Sequence, residues 1–203
     1  MSAKVLIATT NPGKREELLD LLSPLVLDLV FPDQLGISLE VEETGQTYAE
    51  NALLKAQTYY RLMGIPTLAD DTGLEVDALD GKPGLHSARY IPVPGATDAD
   101  RRRKLVADLA GFPRPWKAHF HCSVALVLSL NQSHLTSGDV YGEILPEEHG
   151  QGGFGYDRLF YIPEFQKTMA ELSMMEKNTC SHRARAVKAA FPYLRQYLTH
   201  DGA

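Results

Sequence analysis

The chain opens with a short apolar run that passes directly into a capped amphipathic segment, and this order constrains the fold more than any other feature. Residues 4–10 read KVLIATT, a β-branched run that is typical of a buried parallel strand. Asn11 can cap the next segment, Pro12 suits a first helical position, and leucines then form an apolar stripe. The pattern predicts a strand, a tight loop and a helix, the unit from which α/β proteins are built.

Further helices are predicted from their capping signals. Thr47 and Glu50 have the S/T-x-x-E spacing of a capping box, and Gly64 is placed to end the helix that they begin. Thr97 is the expected cap of another helix. Residues 168–198 are predicted to be helical with breaks.

Strand patterns alternate with these helices. They are predicted at residues 27–37 (a strand and a loop), 66–70, 117–130, 137–145 and 150–163 (a glycine-rich loop that enters a strand). Alternating strands and helices favour an α/β fold, and the neighbouring strands near the middle of the chain indicate antiparallel pairs.

Composition limits the possible partners. The 203 residues, 44% of them hydrophobic, suit a single domain over residues 1–203, which could consist of two lobes. A net charge of −6 argues against a nucleic acid polymer as partner. No run is long enough to span a membrane, and the first residues lack a signal-peptide pattern. With only Cys122 and Cys180, no disulfide framework is implied, so we expect a soluble cytoplasmic protein without a membrane partner.

The loop between the first strand and helix is a possible phosphate site. A helix N-terminus presents free N–H groups and the positive end of a dipole, and Lys14 would add a full charge. The alternative is an ordinary capped turn with a surface lysine. The residues of this loop are Thr9, Thr10, Asn11, Pro12, Gly13 and Lys14.

Two adjacent carboxylates, Asp70 and Asp71, follow an apolar run. Successive strand side chains point to opposite faces, so we expect one of the two to face a cleft and the other to brace the loop. Buried carboxylates need a metal or a cation, and Glu42 and Glu43 could join an aspartate in holding Mg²⁺. Turn or helix-cap roles are the alternatives.

Aromatic and cationic residues cluster in the C-terminal part. Phe154 and Tyr156 could stack on a base, and Lys177, His182 and Arg183 could donate to phosphate or to a base edge. The alternative is that the aromatic rings belong to the core and the cations to a solvated helix face.

A run of cations, Arg101 to Lys104, lies on the predicted helix after Thr97. That helix must also turn Leu105 and Leu109 toward the core. The run is therefore predicted to be a solvated helix face.

Five segments, taken in order, resemble one family. They are ATTNPGKREEL, EETGQTYAENALLKA, ADDTGLEVDALDGKPGLHSARY, GGFGYDRLF and KTMAELSMMEKNTCSHRARA. They look like the non-canonical purine nucleoside triphosphate pyrophosphatases, also called XTP/dITP diphosphatases or inosine triphosphate pyrophosphatases. The resemblance implies a long mixed central β-sheet flanked by helices, with two lobes around a deep nucleotide cleft. It also implies a homodimer that needs Mg²⁺ and cleaves ITP, dITP and XTP between the α and β phosphates.

The resemblance further implies roles for individual residues. The triphosphate loop falls on Thr9 to Lys14, Glu43 and Asp71 match the metal ligands, and Asp71 also matches the general base. With Asp71 in that role, the resemblance implies that Asp71 faces the cleft, that Asp70 braces the turn, and that Gly73 lets the backbone leave the strand beside the substrate. The other matches, all to substrate-binding positions, are Lys55, Thr72, Phe154, Gly155, Tyr156, Asp157, Lys177, His182 and Arg183.

The chain departs from the family pattern in places. Thr10 replaces a common glycine, Thr72 stands where serine is frequent, and Arg158 replaces a usual proline. None of these three replacements removes a chemical group that the reaction needs. Two alternatives stay open: a pyrophosphatase for other modified nucleotides, and a catalytically inactive nucleotide sensor on the same fold.

Overall fold

The computed structural model describes residues 3–200 and confirms an α/β fold in which helices flank a seven-stranded sheet. Its strands are β1 (Ala3–Ile7), β2 (Leu27–Val30), β3 (Thr67–Val76), β4 (Trp116–Ser129), β5 (Gln132–Ile144), β6 (Phe160–Ile162) and β7 (Lys167–Thr168). Its α-helices are α1 (Pro12–Leu22), α2 (Tyr48–Met63), α3 (Asp98–Leu109), α4 (Met174–Cys180) and α5 (His182–His200). Over this part of the chain, no helix combines the length and the apolar character needed to cross a bilayer.

The sheet is mixed, as predicted. Its strand order is β2-β1-β3-β4-β5-β6-β7. β1 runs parallel to β2 and β3, with Val5 opposite Leu29 and Ile7 opposite Leu68. β6 is antiparallel to both β5 and β7. Two residues join β4 to β5, and so short a connection between neighbouring strands requires an antiparallel hairpin.

The chain forms two compact units. The first contains the residues up to Asp71, Cys122–Gly138 and the residues from His182 onward. The second contains Thr72–His121 and Asp139–Ser181. The division falls within β3, and β4 and β5 also contribute residues to both units.

In the first unit, the two faces of the sheet bury separate cores. One core contains Ile7 and Leu68 together with residues of α1 and α5. The other contains Ala8 and Ala69 together with residues of α2. Because successive strand residues point to opposite faces, α2 lies on the face opposite α1 and α5. The same alternation governs the next two residues of β3, the two aspartates.

A third core fills the second unit. Leu74 and Val76 of β3 pack there with Leu105 and Leu109 of α3. The two leucines are one helical turn apart, so α3 buries one stripe and leaves its other positions for polar contacts.

The predicted helix caps are confirmed. The side chain of Asn11 caps α1, and Thr47 and Glu50 close the capping box of α2. α2 ends at Gly64, which has a left-handed backbone, and α3 begins after Thr97. These boundaries depend on neighbouring residues, which explains why local patterns predict them.

The prediction for β3 is wrong at its end. We expected the backbone to leave the strand at Gly73, but β3 continues to Val76. Leu74 and Val76 have a core to fill, so the strand buries apolar side chains beyond the glycine. β5 is also longer than predicted and begins at Gln132.

Candidate active site

Asp70 lies in a network of buried charges. It follows Leu68 on the same face of β3, and only 2% of it is exposed. Its Oδ2 atom accepts hydrogen bonds from Nε and Nη2 of Arg183, both at 3.1 Å, and Lys14 Nζ lies 3.1 Å away. Glu17 of α1 accepts a hydrogen bond from Nη1 of the same guanidinium. Two carboxylates therefore balance the buried charge of Arg183.

The nearby cations set the protonation state of Asp70. Burial raises the pKa of this carboxyl, but Lys14 and Arg183 outweigh burial and hold the pKa well below its ordinary value. Asp70 is therefore ionised at neutral pH. Its charge holds the Lys14 ammonium at the start of α1.

Asp71 points to the opposite face of β3, the face that α2 covers. Asn51 Nδ2 donates to Asp71 Oδ2 at 3.1 Å, and Lys55 Nζ lies 3.5 Å from Asp71 Oδ1. Lys55 also contacts Glu43 Oε1 at 2.9 Å and donates to the Asp70 carbonyl at 2.6 Å. Asn51 and Lys55 are one helical turn apart, so one face of α2 places both side chains at Asp71.

This cluster shifts the proton affinities of its members. Burial raises the pKa of Asp71 and Glu43 raises it further, and together these effects exceed the lowering by Lys55 and Lys14. Burial lowers the pKa of Lys55, but the surrounding carboxylates outweigh burial and raise it overall. Lys55 therefore stays charged, and Asp71 is a stronger base than an exposed aspartate.

Glu43 and Asp71 are the pair that the family resemblance matched to the metal ligands. Both carboxylates lie against the same Lys55 ammonium. Among residues 3–200, no group of three or more acidic, histidine or cysteine side chains is arranged to hold a metal ion. Two carboxylates nevertheless suit Mg²⁺, which keeps several waters and binds through one or two carboxylates plus substrate phosphates. The donor chemistry fits a cation that arrives with a phosphorylated substrate.

The predicted phosphate loop connects β1 to α1. Thr9 Oγ1 accepts a hydrogen bond from the Asn11 N–H at 3.2 Å, and Asn11 Oδ1 accepts from the Lys14 N–H at 3.1 Å. Thr10 and Asn11 are exposed. The loop thus leads into a helix N-terminus beside a lysine, an arrangement that favours anions.

The second unit brings together the loop residues predicted to recognise a base. Lys177 Nζ donates to Asp157 Oδ2 at 2.7 Å, and both residues are buried. The same oxygen accepts from the Phe154 N–H at 3.2 Å. Gly153 has a φ of +70°, and a Cβ there would lie 2.1 Å from Asp157 Oδ2, so this position requires glycine.

Tyr156 is a core residue, the alternative that the sequence left open for the aromatic rings. It is only 3% exposed and belongs to the core of the second unit. Its hydroxyl donates to the Ser87 carbonyl at 3.0 Å, and burial raises the pKa of that hydroxyl. Tyr156 therefore anchors the loop, whereas Phe154 is half-buried.

The remaining predicted residues are divided between the units. His182 and Arg183 begin α5 in the first unit, and both are buried. Arg183 donates to Asp70 and Glu17, partners that the sequence did not predict. Thr72 is the first residue of the second unit and is half-buried on β3.

Sequence reasoning missed Asn51. It is fully buried, and its Oδ1 atom accepts from the Gly45 N–H at 2.8 Å while its amide nitrogen donates to Asp71. A signal was available, because Asn51 lies on the buried stripe of α2 between Tyr48 and Ala52. A polar residue in an apolar stripe needs a buried partner.

The chain is similar to known proteins over nearly its whole length. A sequence profile of the Ham1 family matches residues 5–193. The dITP/XTP pyrophosphatase of Desulforamulus reducens is 43% identical over 199 residues, which cover 98% of each chain. The dITP/XTP pyrophosphatase of Mannheimia succiniciproducens is 45% identical over 191 residues, which cover 92% of this chain and 96% of the relative.

Solved structures show the same fold. A HAM1 protein from Coxiella burnetii superposes with a TM-score of 0.85 at 38% identity, over 96% of this chain and 99% of the other. The Staphylococcus aureus Ham1 protein gives a TM-score of 0.83 at 34% identity with the same coverage. Profile, relatives and structures agree over nearly the whole chain, and the chain therefore belongs to the Ham1 family.

Proposed function

We propose that this protein is a Mg²⁺-dependent nucleoside triphosphate pyrophosphatase that hydrolyses ITP, dITP and XTP to the monophosphate and pyrophosphate. The observation that carries the proposal is the cluster of Glu43, Lys55 and Asp71, two carboxylates around one ammonium. Relatives named dITP/XTP pyrophosphatases support the substrate class. The reaction would remove deaminated purine nucleotides from the precursor pool.

The triphosphate would bind to the loop from Thr9 to Lys14, with Lys55 as a second cation. A phosphoanhydride resists hydrolysis largely because its negative charge repels the nucleophile. Lys14, at the start of α1, and Lys55, beside Asp71, would offset that charge from two sides of β3. Thr72 would add a hydroxyl contact next to the carboxylates.

Asp71 would orient and deprotonate the attacking water. Its raised pKa makes it a more effective base near neutral pH than an exposed aspartate. Asn51 holds one oxygen of the carboxylate in place. Glu43 and Asp71 would hold Mg²⁺, which when bound neutralises phosphate charge and acidifies a coordinated water.

Asp70 and Arg183 would act by positioning. Asp70 holds the Lys14 ammonium, and Arg183 holds Asp70. Neither group needs to touch the reacting atoms for this role. Removal of either side chain would displace the lysine that contacts phosphate.

The second unit would supply base recognition. The Phe154 ring would stack on the purine, and the buried pair of Asp157 and Lys177 would hold the loop in shape and provide polar contacts. Backbone N–H groups of this loop, or alternatively His182 of the first unit, would donate to the carbonyl at purine position 6. A site built for an acceptor leaves its donors unpaired when adenine presents an amino group, and this supports strong discrimination.

The proposed setting follows from composition and from family resemblance. The protein would act in the cytoplasm as a homodimer on a small-molecule purine nucleoside triphosphate. The net charge of −6 does not favour a nucleic acid polymer as a partner.

The test is product analysis with purified protein, Mg²⁺ and four nucleotides: ITP, XTP, ATP and GTP. We expect monophosphate and pyrophosphate from ITP and XTP, with ATP and GTP far slower, and loss of activity with a chelator that excess Mg²⁺ reverses. Release of orthophosphate with a diphosphate product would contradict the proposal. Tight ITP binding without turnover would favour the sensor, and faster turnover of methylated or pyrimidine nucleotides would favour the other pyrophosphatase.

A further inference from the structure

Helix α3 holds both backbone polar groups of Gly155. Asp98 Oδ2 accepts a hydrogen bond from the Gly155 N–H at 2.7 Å, and Arg102 Nη1 donates to the Gly155 carbonyl at 2.7 Å. Asp98 and Arg102 are one helical turn apart and share one face of α3. A single helix face therefore fixes the two peptide groups on either side of the Gly155 Cα atom.

Asp98 and Arg102 together form a clamp on Gly155, and other residues hold each of these two side chains in place. Glu148 binds the Arg102 guanidinium through two hydrogen bonds, 2.8 Å to Nε and 3.1 Å to Nη2. Burial raises the pKa of Asp98, but hydrogen bonds from Arg101 and from the Gly155 N–H outweigh burial and lower it overall. Asp98 is therefore an ionised acceptor, and Arg102 is a donor with a fixed direction.

The backbone conformation of Gly155 determines the path of the loop, so the clamp on Gly155 controls that path. Gly155 has a φ of +57°, and a Cβ there would meet nothing within 4 Å, so conformation and not crowding calls for glycine. Fixing its N–H and its carbonyl fixes the torsion angles between them. Those angles set where the chain runs toward Phe154 on one side and toward Asp157 on the other.

Arg102 departs from the prediction for its segment. The cationic run was expected to be a solvated face, and Arg103 fits, with a 72% exposed side chain and a local partner in Asp100. Arg102 is only 6% exposed. Its partners, Glu148 and Gly155, are distant in sequence, with separations of 46 and 53 positions. Burial of a guanidinium is costly unless acceptors surround it, so this position has a task other than solubility.

We infer that Asp98 and Arg102 are positioning residues for purine selectivity, because they hold the Gly155 backbone and thereby place Phe154 and Asp157 against the base. This inference rests on the proposed function. Neither side chain contacts the nucleotide, and both act through the loop.

The first test is hydrogen exchange of a peptide that covers Gly153–Asp157, and it needs no activity. Asp98→Ala and Arg102→Ala should raise the exchange rate of this loop about tenfold, since each removes a charged hydrogen bond. Arg103→Ala, on the same helix, is the matched control and should leave the rate unchanged. Asp98→Asn keeps an acceptor oxygen and should restore most of the protection.

The second test separates the base from the phosphates. In Asp98→Ala and Arg102→Ala we expect KM for ITP to rise about tenfold, kcat to stay within about twofold, and the preference for ITP over GTP to fall about tenfold. Inorganic tripolyphosphate carries no base, so its inhibition constant should not change. Arg103→Ala should match the wild type in every measurement.

The outcomes distinguish the two proposals. Wild-type protein that releases no pyrophosphate from ITP would reject the proposed function, and loop exchange would still decide the clamp. An active wild type whose two clamp variants behave like Arg103→Ala would overturn the inference alone. Faster exchange with unchanged selectivity would also overturn it. If Arg102→Ala does not fold, Asp98→Ala decides, because Arg102 then keeps its ion pair with Glu148.

Discussion

At the scale of residues, two neighbouring aspartates differ because a β-strand sends successive side chains to opposite faces. Asp70 meets Arg183 on one face, and Asp71 meets Asn51 and Lys55 on the other. The sequence predicted the opposite orientations from strand geometry. It could not predict the partners, because Arg183 is 113 positions from Asp70 and no local pattern connects them.

The pair Asp71→Asn and Asp70→Asn separates chemistry from support. Asp71→Asn should lower kcat by roughly 10²–10⁴-fold, as expected for a lost general base, with melting temperature retained because a carboxylate leaves the neighbourhood of Glu43. Asp70→Asn leaves the buried Arg183 short of one counter-charge. It should therefore destabilise the fold by about 3–5 kcal/mol, with the smaller effect on kcat.

Each variant serves as the control for the other, since both remove one carboxylate from β3. The measurements are kcat, Mg²⁺ dependence and thermal melting. A well-folded Asp70→Asn protein without turnover, beside an active Asp71→Asn protein, would reverse the assignment of the two carboxylates.

At the scale of elements, helix boundaries were predictable and side-chain partners were not. Thr47, Glu50 and Gly64 specify α2 through contacts within a few residues. The end of β3 was mispredicted at Gly73, because strand length depends on a core assembled from distant segments. The burial of Arg102 was not predicted for the same reason, because its hydrogen-bond acceptors lie outside α3.

The capping box of α2 predicts a stability effect. Thr47→Ala removes the side-chain acceptor for the Glu50 N–H and should lower the free energy of unfolding by about 1 kcal/mol. Urea denaturation at neutral pH measures this change. The matched control is Thr58→Ala in the interior of the same helix, where Thr58 donates to the Leu54 carbonyl and alanine has the higher helix propensity.

We expect the Thr58→Ala variant to be as stable as the wild type or slightly more stable. Equal losses in the two variants would show that threonine at position 47 contributes through general packing and not through the cap.

At the scale of the molecule, the strand order could be predicted only in part. The short connections predicted that β4 pairs with β5, because a hairpin is a local structure. β3 pairs with β1, although α1, β2 and α2 separate the two strands in the chain. Local sequence patterns do not indicate which distant strands will pair. The family resemblance supplied the long mixed sheet that periodicity alone left open.

The pKa values of carboxyl groups across the molecule predict that the free energy of unfolding decreases in acid. Among the described residues, carboxyls with a lowered pKa in the folded state are Asp33, Asp70, Asp98, Asp100, Asp108, Glu148, Glu171 and Glu176. A lowered folded-state pKa contributes stability that is present above the unfolded-state pKa and is lost as pH falls. The raised pKa of Asp71 acts in the opposite sense, but it is one group against many.

Glu176 defines most clearly the pH range over which stability is lost. Hydrogen bonds from the Lys167 ammonium and from the Ser173 N–H lower its pKa from 4.5 to about 2. We therefore expect the free energy of unfolding to hold steady from pH 7 to 5 and to decrease between pH 4.5 and about 2. Urea denaturation at pH 7, 5 and 3 measures the decrease.

Glu176→Gln isolates this contribution. Glutamine does not titrate, so the variant should be less stable than the wild type at pH 7 and should lose less stability on going from pH 7 to pH 3. Glu164→Gln is the control at an exposed position of the same unit and should reproduce the wild-type pH dependence. If Glu176→Gln showed the full wild-type loss, the ion pair with Lys167 would contribute nothing to acid sensitivity, as holds for many surface ion pairs. The decrease would then come from the other carboxyls whose pKa is lowered in the folded state.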